Sequence, residues 1–168
     1  MGGRMGTVES FPAVYDKKCR VLILGTAPSV ASLEAGGHYG HKRNAFWPIV
    51  FALWGQNDPG DYPSRYAFLL SRGIALWDVL ESCEREGSLD SAIRAGIPSD
   101  IDGLLADCPS IAAIFCNGGK AYELFCKHFP HLHATRLPST SPAAARMRFD
   151  DKLEAWQTVK TALEEEGS

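Results

Sequence analysis

The chain has 168 residues, a length that supports one hydrophobic core and is short for two. Its 17 lysines and arginines against 20 acidic residues give a formal net charge of −3, which excludes a basic protein that coats nucleic acid through neutralised phosphates. Hydrophobic residues make up 45% and charged residues 22%, which excludes a disordered or fibrous chain. We therefore expect a flexible lead-in over 1–18 and a single domain over 19–168.

The five cysteines contain no CxxC pair and no Cys/His finger spacing, so we expect no metal ion, no Fe–S cluster and no other cofactor. An odd number of cysteines without an apolar leader is typical of a reducing cytoplasm, where we place the protein. The longest apolar stretches, at 21–24 and 111–116, are much too short to span a bilayer. The sequence therefore predicts a cytoplasmic monomer without a membrane partner.

The first half of the chain begins with an apolar run at 20–25, typical of a strand that is covered on both faces. The segment 26–43 contains Pro28 and several glycines without periodicity, so we expect a long loop whose backbone can approach a ligand. Asn44 can cap the helix that follows it. Another helix is predicted over 64–71.

The second half begins with a weaker strand at 73–77 and a polar stretch over 78–96 in which no element is predicted. The remaining predictions are a helix at 98–106, a strand at 111–116, a helix at 120–129, a strand at 134–137 and a final helix over 150–166. This alternation predicts a three-layer α/β/α sandwich with a central, mostly parallel four-stranded sheet. Such sheets bind ligands beyond the carboxyl ends of their strands, here the loops after Leu24, Trp77, Cys116 and Leu137.

Several familiar signatures are absent from the sequence. No GxGxxG, GxSxG or HExxH occurs, and the glycines at 118–119 lack the rest of a Walker loop. Dinucleotide binding, a hydrolase elbow, a zinc protease and a P-loop are therefore not supported.

The strongest functional signal lies in three segments: Gly-Thr-Ala-Pro-Ser at 25–29, His-Tyr-Gly-His-Lys-Arg-Asn-Ala-Phe-Trp at 38–47, and Leu-Pro-Ser-Thr-Ser-Pro at 137–142. In this order and at these strand ends, they resemble the motifs of the uracil-DNA glycosylase superfamily, most closely its hypoxanthine-DNA glycosylase branch. Segments 74–80 and 115–121 also resemble that branch, so the likeness extends from about residue 20 to residue 160.

The resemblance implies a monofunctional DNA glycosylase of base excision repair. Such an enzyme binds damaged DNA, flips one nucleotide and hydrolyses the N-glycosidic bond of a deaminated base. Hypoxanthine is the favoured base and uracil the alternative. No lysine occupies a motif position suited to Schiff-base chemistry, so we expect an abasic product without strand cleavage.

The resemblance also implies how the base is bound. Tyr39 matches the aromatic residue that stacks on the flipped base, and its alternative role is that of a loop or core tyrosine. The base edge is recognised around Thr26, Ala27, Pro28 and Ser29, through backbone N–H groups of the first motif.

One departure from the superfamily pattern concerns the catalyst. Most branches have Asn or Asp at the third position of the first motif, where this chain has Ala27, which cannot polarise water. In the hypoxanthine branch the resemblance transfers that role to Asn44, whose amide can orient the attacking water. The alternative, compatible with the first, is that Asn44 caps the following helix.

Two further residues follow predicted strands. Asp78 either accepts a hydrogen bond from a base N–H, or caps a helix, or pairs with an arginine. Asn117 either contacts the substrate or is a turn residue.

Contacts with DNA are expected on both sides of the cleft. The residues concerned are His41, Lys42, Arg43, Ser139, Thr140, Ser141 and Arg146, with Arg148 next to them. A plain turn with solvated arginines is the alternative for the later group. For His41 the alternatives are support of Asn44 and a partly exposed loop histidine.

Two other classes of function stay open at this stage. One is a DNA-lesion or nucleotide-binding module that has the fold but little catalytic activity, because of Ala27. The other is an enzyme acting on a small phosphorylated molecule, which leaves the segment 137–142 unexplained.

Overall fold

The computed structural model describes residues 6–9, 11–28, 30–85, 93–142 and 146–166. In chain order its elements are β1 (Gly6–Glu9), β2 (Val21–Gly25), α1 (Val30–Ala35), α2 (Phe46–Ala52), α3 (Tyr62–Ser71), β3 (Ile74–Asp78), β4 (Leu80–Arg85), β5 (Ile93–Pro98), α4 (Ile101–Asp107), β6 (Ala113–Asn117), α5 (Gly119–His128), β7 (Thr135–Leu137) and α6 (Phe149–Glu166).

The central sheet has four strands in the order β3-β2-β6-β7, and every neighbouring pair is parallel. All residues of β2 are buried, because hydrophobic side chains cover both faces of the sheet. Leu22 and Leu24 belong to a cluster that includes residues of α4 and α5, whereas Val21 and Ile23 belong to one that includes residues of α2, α3 and α6. The prediction of a three-layer α/β/α sandwich around a parallel sheet is therefore confirmed.

A second, smaller sheet differs from the sequence prediction. The polar stretch 78–96 contains β4 and β5, which pair antiparallel and are joined by β1 in the order β1-β4-β5. Strand β4 reads Leu-Glu-Ser-Cys-Glu-Arg, a pattern with little hydrophobic alternation. Pairing with its neighbours, rather than a local pattern, defines such a strand, which is why the sequence did not predict it.

The expected flexible lead-in is also partly ordered. It contains β1, and Val14 forms an antiparallel bridge with Leu76 through two backbone hydrogen bonds of 2.9 Å each. The expected loop 26–43 likewise contains the short helix α1. The Val14 bridge binds the segment before β2 to the edge strand β3, and such tertiary pairing is not indicated by the local sequence.

The described part of the chain has neither a helix that could span a membrane nor a cluster of possible metal ligands. None of its helices is both long and apolar enough to cross a membrane. Its His, Cys, Asp and Glu side chains form no group of three or more that could hold a metal ion.

Candidate active site

The carboxyl ends of the four parallel strands lie along one edge of the central sheet. Gly25 is in register with Asp78, and Asn117 with Leu137, so the strands end together. This edge, which we call the carboxyl edge, is where ligands bind in parallel α/β sheets. The residues predicted from the sequence to act on a substrate follow these four strand ends.

The first motif leaves the sheet directly after β2. Thr26 is 7% exposed, and its carbonyl accepts a hydrogen bond of 3.1 Å from the N–H of Leu80. Ala27 is half-buried against a hydrophobic cluster, and Pro28 is buried. Ser29 lies outside the described residues. The motif is therefore anchored between β2 and the chain after β3.

Tyr39 has an unusual backbone conformation and a fixed ring. Its φ of 58° lies in the left-handed region, which is a strained conformation for a tyrosine and is concentrated at functional sites. The ring stacks on Phe46 with centroids 4.1 Å apart and planes at 23°. Phe46 in turn contacts Trp47 and Trp156 edge-on. A base that stacks on Tyr39 must therefore use the ring face opposite Phe46.

Asn44 lies at the start of α2, with its amide oriented by the backbone. Its Oδ1 accepts a hydrogen bond of 2.9 Å from the N–H of Phe46, and its own N–H donates to the carbonyl of His41. The next N–H, that of Ala45, donates to the carbonyl of Thr140 at 2.9 Å. Asn44 thus makes a cap-like contact and is joined to the second motif. Its Oδ1 has a second lone pair that can accept a hydrogen bond from water.

The second motif is attached to the end of β6 by buried side chains. The Nδ2 of Asn117 donates to Oγ1 of Thr140 at 2.9 Å, and the N–H of Thr140 donates to Oδ1 of Asn117 at 3.0 Å. Both residues are buried, at 8% and 1% exposure. Trp156 donates its indole N–H to the carbonyl of Pro138 at 3.0 Å. The Asn117 side chain is therefore engaged in holding this loop in place.

The two serines of that loop are half-buried rather than buried. The N–H of Ser141 donates to Oγ of Ser139 at 3.1 Å. Ser139 also lies against Gly118. A Cβ added to Gly118 would lie 2.9 Å from the Cβ of Ser139. Gly118 has a φ of 95°, so this turn from β6 into α5 requires glycine both for its conformation and for its space.

Asp78 and His38 form a buried pair at the end of β3. Each is 3% exposed, and Nε2 of His38 lies 3.8 Å from Oδ2 of Asp78. The hydroxyl of Tyr66 lies 3.1 Å from Nδ1 of His38 and accepts a hydrogen bond from the His38 N–H. Burial lowers the pKa of His38, and the neighbouring carboxylate opposes that shift only in part. His38 is therefore neutral at physiological pH.

Gly25 is the point on which these groups converge. A Cβ placed on Gly25 would lie 2.6 Å from Oδ1 of Asp78 and 2.7 Å from the hydroxyl of Tyr39. The absence of a side chain at this position lets a carboxylate oxygen and a phenol oxygen reach the end of β2 together. The arrangement brings a hydrogen-bond acceptor and an aromatic ring to one place, as recognition of a planar heterocycle requires.

The cationic residues predicted to contact DNA lie at the surface. Lys42, Arg43 and Arg146 are exposed, and exposed His41 accepts a hydrogen bond of 3.0 Å at Nδ1 from the N–H of Arg43. Arg136 and Arg148, both exposed, add to these charges. Their exposure is suited to contact with phosphate groups, which remain solvated at the surface of DNA.

The sequence did not predict three residues, His38, Tyr66 and Lys152, as candidate functional residues. His38 and Tyr66 are far apart in the chain, and only the fold brings them together. Lys152 is 5% exposed, and burial lowers its pKa. Its spacing from Trp156 on the buried stripe of α6 could have identified it, because residues four apart share one face of a helix.

Comparison with known proteins gives a consistent result. The model of the uracil DNA glycosylase superfamily matches residues 12–160. The chain is 36% identical over 155 residues to a hypoxanthine DNA glycosylase of Methanosarcina acetivorans, covering 90% of this chain and 96% of that protein. A hypoxanthine DNA glycosylase of Methanosarcina barkeri is 29% identical over 153 residues, covering 88% and 94% respectively. The solution NMR structure of a candidate uracil DNA glycosylase from M. acetivorans superimposes with a TM-score of 0.80 at 34% identity, covering 95% of this chain and 99% of that one.

Proposed function

Because the chain belongs to the uracil DNA glycosylase superfamily, we propose that it removes hypoxanthine from DNA, by hydrolysis of the bond between the base and deoxyribose. It is a DNA glycosylase for deaminated bases, and the preference for hypoxanthine over uracil is the finer part of the proposal. The observation that carries it is the convergence of the Asp78 carboxylate and the Tyr39 hydroxyl on Gly25. Two relatives named hypoxanthine DNA glycosylase support the choice of base.

The flipped base stacks on the face of Tyr39 that is opposite Phe46. Stacking of a base on an aromatic side chain contributes about 1 to 3 kcal/mol and does not depend on which base is present. The choice among bases therefore falls to groups at the base edge. Asp78 accepts a hydrogen bond from the N1–H of hypoxanthine, and N–H groups of the first motif around Thr26 donate to its acceptor atoms.

Asn44 positions the water that attacks the sugar. As the bond from C1′ to the base nitrogen breaks, positive charge develops on the sugar and the electron pair leaves with the base. The water oxygen bonds to C1′, one of its protons is lost to solvent, and the departing base is protonated at nitrogen. Oδ1 of Asn44 accepts a hydrogen bond from this water, while its bond from the Phe46 N–H keeps the amide in orientation.

Contacts with the DNA backbone hold the duplex over the carboxyl edge. Lys42, Arg43 and Arg146 bind phosphates on the two sides, and His41 adds a further polar contact. Ser139 and Ser141 offer hydroxyls, while Thr140 and Asn117 hold their loop in place by mutual hydrogen bonds. These interactions neutralise phosphates locally, which is compatible with the formal net charge of −3 of the whole chain.

The proposal is tested by release of bases from a lesion panel. Oligonucleotides with one inosine, one deoxyuridine or no lesion are incubated with the protein, and abasic sites are then cleaved with alkali. We expect cleavage at inosine above all, and no strand break before alkali. No product from either lesion would refute the proposal. Gel retardation that depends on the lesion, without base release, would instead identify a lesion-binding module.

The catalytic assignment has its own test. We expect Asn44→Ala to lower the single-turnover rate of hypoxanthine release about 100-fold or more, the loss that a misplaced reactant can cause. Asn57→Ala is the matched control, since Asn57 is exposed in the connection between α2 and α3. An Asn44→Ala variant with full activity would show that another group orients the water.

A further inference from the structure

We propose that His38, held by Tyr66, is a positioning residue that keeps the Asp78 carboxylate in the form that accepts hypoxanthine and rejects adenine. This inference rests on the proposed function, in which Asp78 reads the edge of the flipped base. It assigns a specificity role to two residues, His38 and Tyr66, that touch neither the sugar nor the base.

The two carboxylate oxygens of Asp78 face different surroundings. Oδ1 lies at the end of β2, 2.6 Å from the position that a Cβ of Gly25 would take, on the side of the Tyr39 ring. Oδ2 lies 3.8 Å from Nε2 of His38. The backbone of Asp78 is also fixed, since its carbonyl accepts a hydrogen bond of 2.7 Å from the buried hydroxyl of Ser99. One oxygen is thus directed at the proposed base position and the other at the histidine.

His38 is held on its other sides by groups of α2 and α3. The hydroxyl of Tyr66 accepts from the His38 N–H and lies 3.1 Å from Nδ1. The His38 carbonyl accepts from the indole N–H of Trp47 at 2.8 Å and from the hydroxyl of Tyr62 at 3.0 Å. The imidazole cannot turn away from Asp78 without breaking its contact with Tyr66.

In the proposed arrangement the imidazole proton of His38 is on Nε2. The Tyr66 hydroxyl, which accepts from the His38 backbone N–H, then donates a hydrogen bond to Nδ1. Within the described residues Nε2 has no hydrogen-bond acceptor, and the nearest carboxylate is that of Asp78. The burial that lowers the pKa of His38 keeps the ring neutral, so a polarised N–H, and not a full charge, faces Oδ2.

The form of Asp78 decides which purine it can bind. Hypoxanthine carries a proton on N1, whereas adenine has a lone pair there. A carboxylate accepts the N1–H of hypoxanthine and repels the lone pair of adenine, but a protonated carboxyl group could donate to adenine. Burial disfavours a charged carboxylate, and a nearby N–H opposes that effect. His38 therefore protects normal adenine in DNA by stabilising the ionised carboxylate.

A pair of substitutions separates this role from simple core packing. In His38→Asn the amide keeps a polar group near Nδ1 for Tyr66 and loses the group that faces Asp78. In His38→Gln the longer amide returns a donor to the position of Nε2. The measurement is single-turnover release of hypoxanthine and of adenine from otherwise identical oligonucleotides, compared as a ratio over a series of protein concentrations.

We expect His38→Asn to lower the hypoxanthine-to-adenine ratio about tenfold, the size of the loss when a polar group that faces a buried charge is removed. The half-saturating protein concentration for inosine DNA should rise, and His38→Gln should restore the ratio to within about threefold. An unchanged ratio in His38→Asn, with or without slower release, would overturn the inference. No hypoxanthine release by the unmodified protein would overturn the proposed function as well.

A second pair tests the positioning group and does not alter His38. Tyr66→Phe removes the hydroxyl that holds Nδ1, whereas Tyr62→Phe removes a neighbouring hydroxyl of α3 that touches the His38 and Gly37 carbonyls. We expect Tyr66→Phe to lower the hypoxanthine-to-adenine ratio several-fold and Tyr62→Phe to lower it less, because the indole of Trp47 also holds the His38 carbonyl. Equal ratios in both variants would overturn the role of Tyr66.

Discussion

The two ends of the central sheet differ in how their polar groups are used. At the carboxyl edge, Asp78, Asn117 and Thr140 are buried and belong to the chain segments that continue the strands. At the opposite end, which we call the amino edge, an open cavity of about 790 Å³ is lined by four cations together with Asp16 and Glu164. These cations are Lys18, Arg20, Arg72 and Lys160. This cavity therefore lies at the end of the sheet opposite to the one at which the motifs meet.

The cations of the amino edge have a structural explanation. Helices α3 and α6 end there, and the carbonyls at a helix end carry partial negative charge. Arg20 donates to the carbonyl of Leu163 at 2.7 Å, and Arg72 and Lys160 lie 5.4 and 6.0 Å from the ring of Trp54. The charged lining of this cavity thus includes side chains that contact a helix end and an aromatic ring. The direction of the strands is the better guide to the site.

The largest expected effect contrasts two glycines at opposite ends of paired strands. Gly25→Ala would force apart the Asp78 carboxylate and the Tyr39 hydroxyl, both less than 3 Å from the new Cβ. We expect base release to fall about 100-fold, as displacement of binding groups by 1 Å can do. Gly73→Ala, at the amino edge with φ of 80°, should lower the free energy of unfolding by about 1 kcal/mol and leave the rate per folded molecule unchanged. Melting curves and single-turnover rates distinguish the two outcomes, and equal losses of rate would break the contrast.

The next effect compares one aromatic residue at each end. Tyr39→Ala should weaken binding of inosine DNA about 10- to 100-fold, because it removes the ring on which the base stacks. Tyr39→Phe should stay within a few-fold of the unmodified protein. Trp54→Ala should reduce stability and leave binding of the lesion intact. Fluorescence titration with inosine and undamaged duplexes measures these affinities, and an equal loss for both duplexes in Tyr39→Ala would argue against stacking on the flipped base.

The central sheet was predictable because its strands are buried on both faces. An apolar run such as Val21–Gly25 by itself predicts a buried strand. The alternation of strands with helices then predicts that the strands pair parallel. The strands β1, β4 and β5 could not be predicted from the sequence, because their pairing with one another defines them. Short polar segments of this kind look like loops until their partners are known.

The candidate site was predictable as a set of positions but not as a set of contacts. Its motifs follow strand ends, so Asp78 and Asn117 could be placed at one edge. That both polar ends of the Asn117 amide are used by Thr140 depends on the path of the loop after β7. The contact of His38 with Tyr66 depends likewise on how α3 packs against the segment after α1. Neither contact can be predicted from the spacing of residues or from the composition of the sequence.

A smaller effect concerns pH and the buried pair of the carboxyl edge. Because burial lowers the pKa of His38 in the folded state, the unfolded chain binds more protons below pH about 6.5. The contribution of this shift to the free energy of unfolding is fully present above that pH. It is lost as the pH falls towards the pKa of His38 in the folded protein, by at most about 1.4 kcal/mol per pH unit. The Asp78 carboxylate moderates this lowering of the His38 pKa, and the Tyr66 hydroxyl also faces the ring. Urea unfolding at pH 7.5 and 5.5 should show this loss, and His38→Gln should reduce it; the same loss in both proteins would assign it to other groups.

The smallest effect compares two exposed lysines. Lys42 lies in the turn beside Asn44, at the carboxyl edge, and Lys18 lines the cavity of the amino edge. A lysine that neutralises one phosphate contributes about one unit to the slope of log Kd against log salt concentration, and its loss weakens binding of all sequences alike. Lys42→Gln should therefore lower that slope by about one unit, with a few-fold weaker binding of inosine and undamaged duplexes. Lys18→Gln should leave both slope and affinity unchanged, because a duplex held over one end of a sheet does not reach the other. A lower slope in Lys18→Gln alone would move the DNA to the amino edge and reverse the assignment of the two ends.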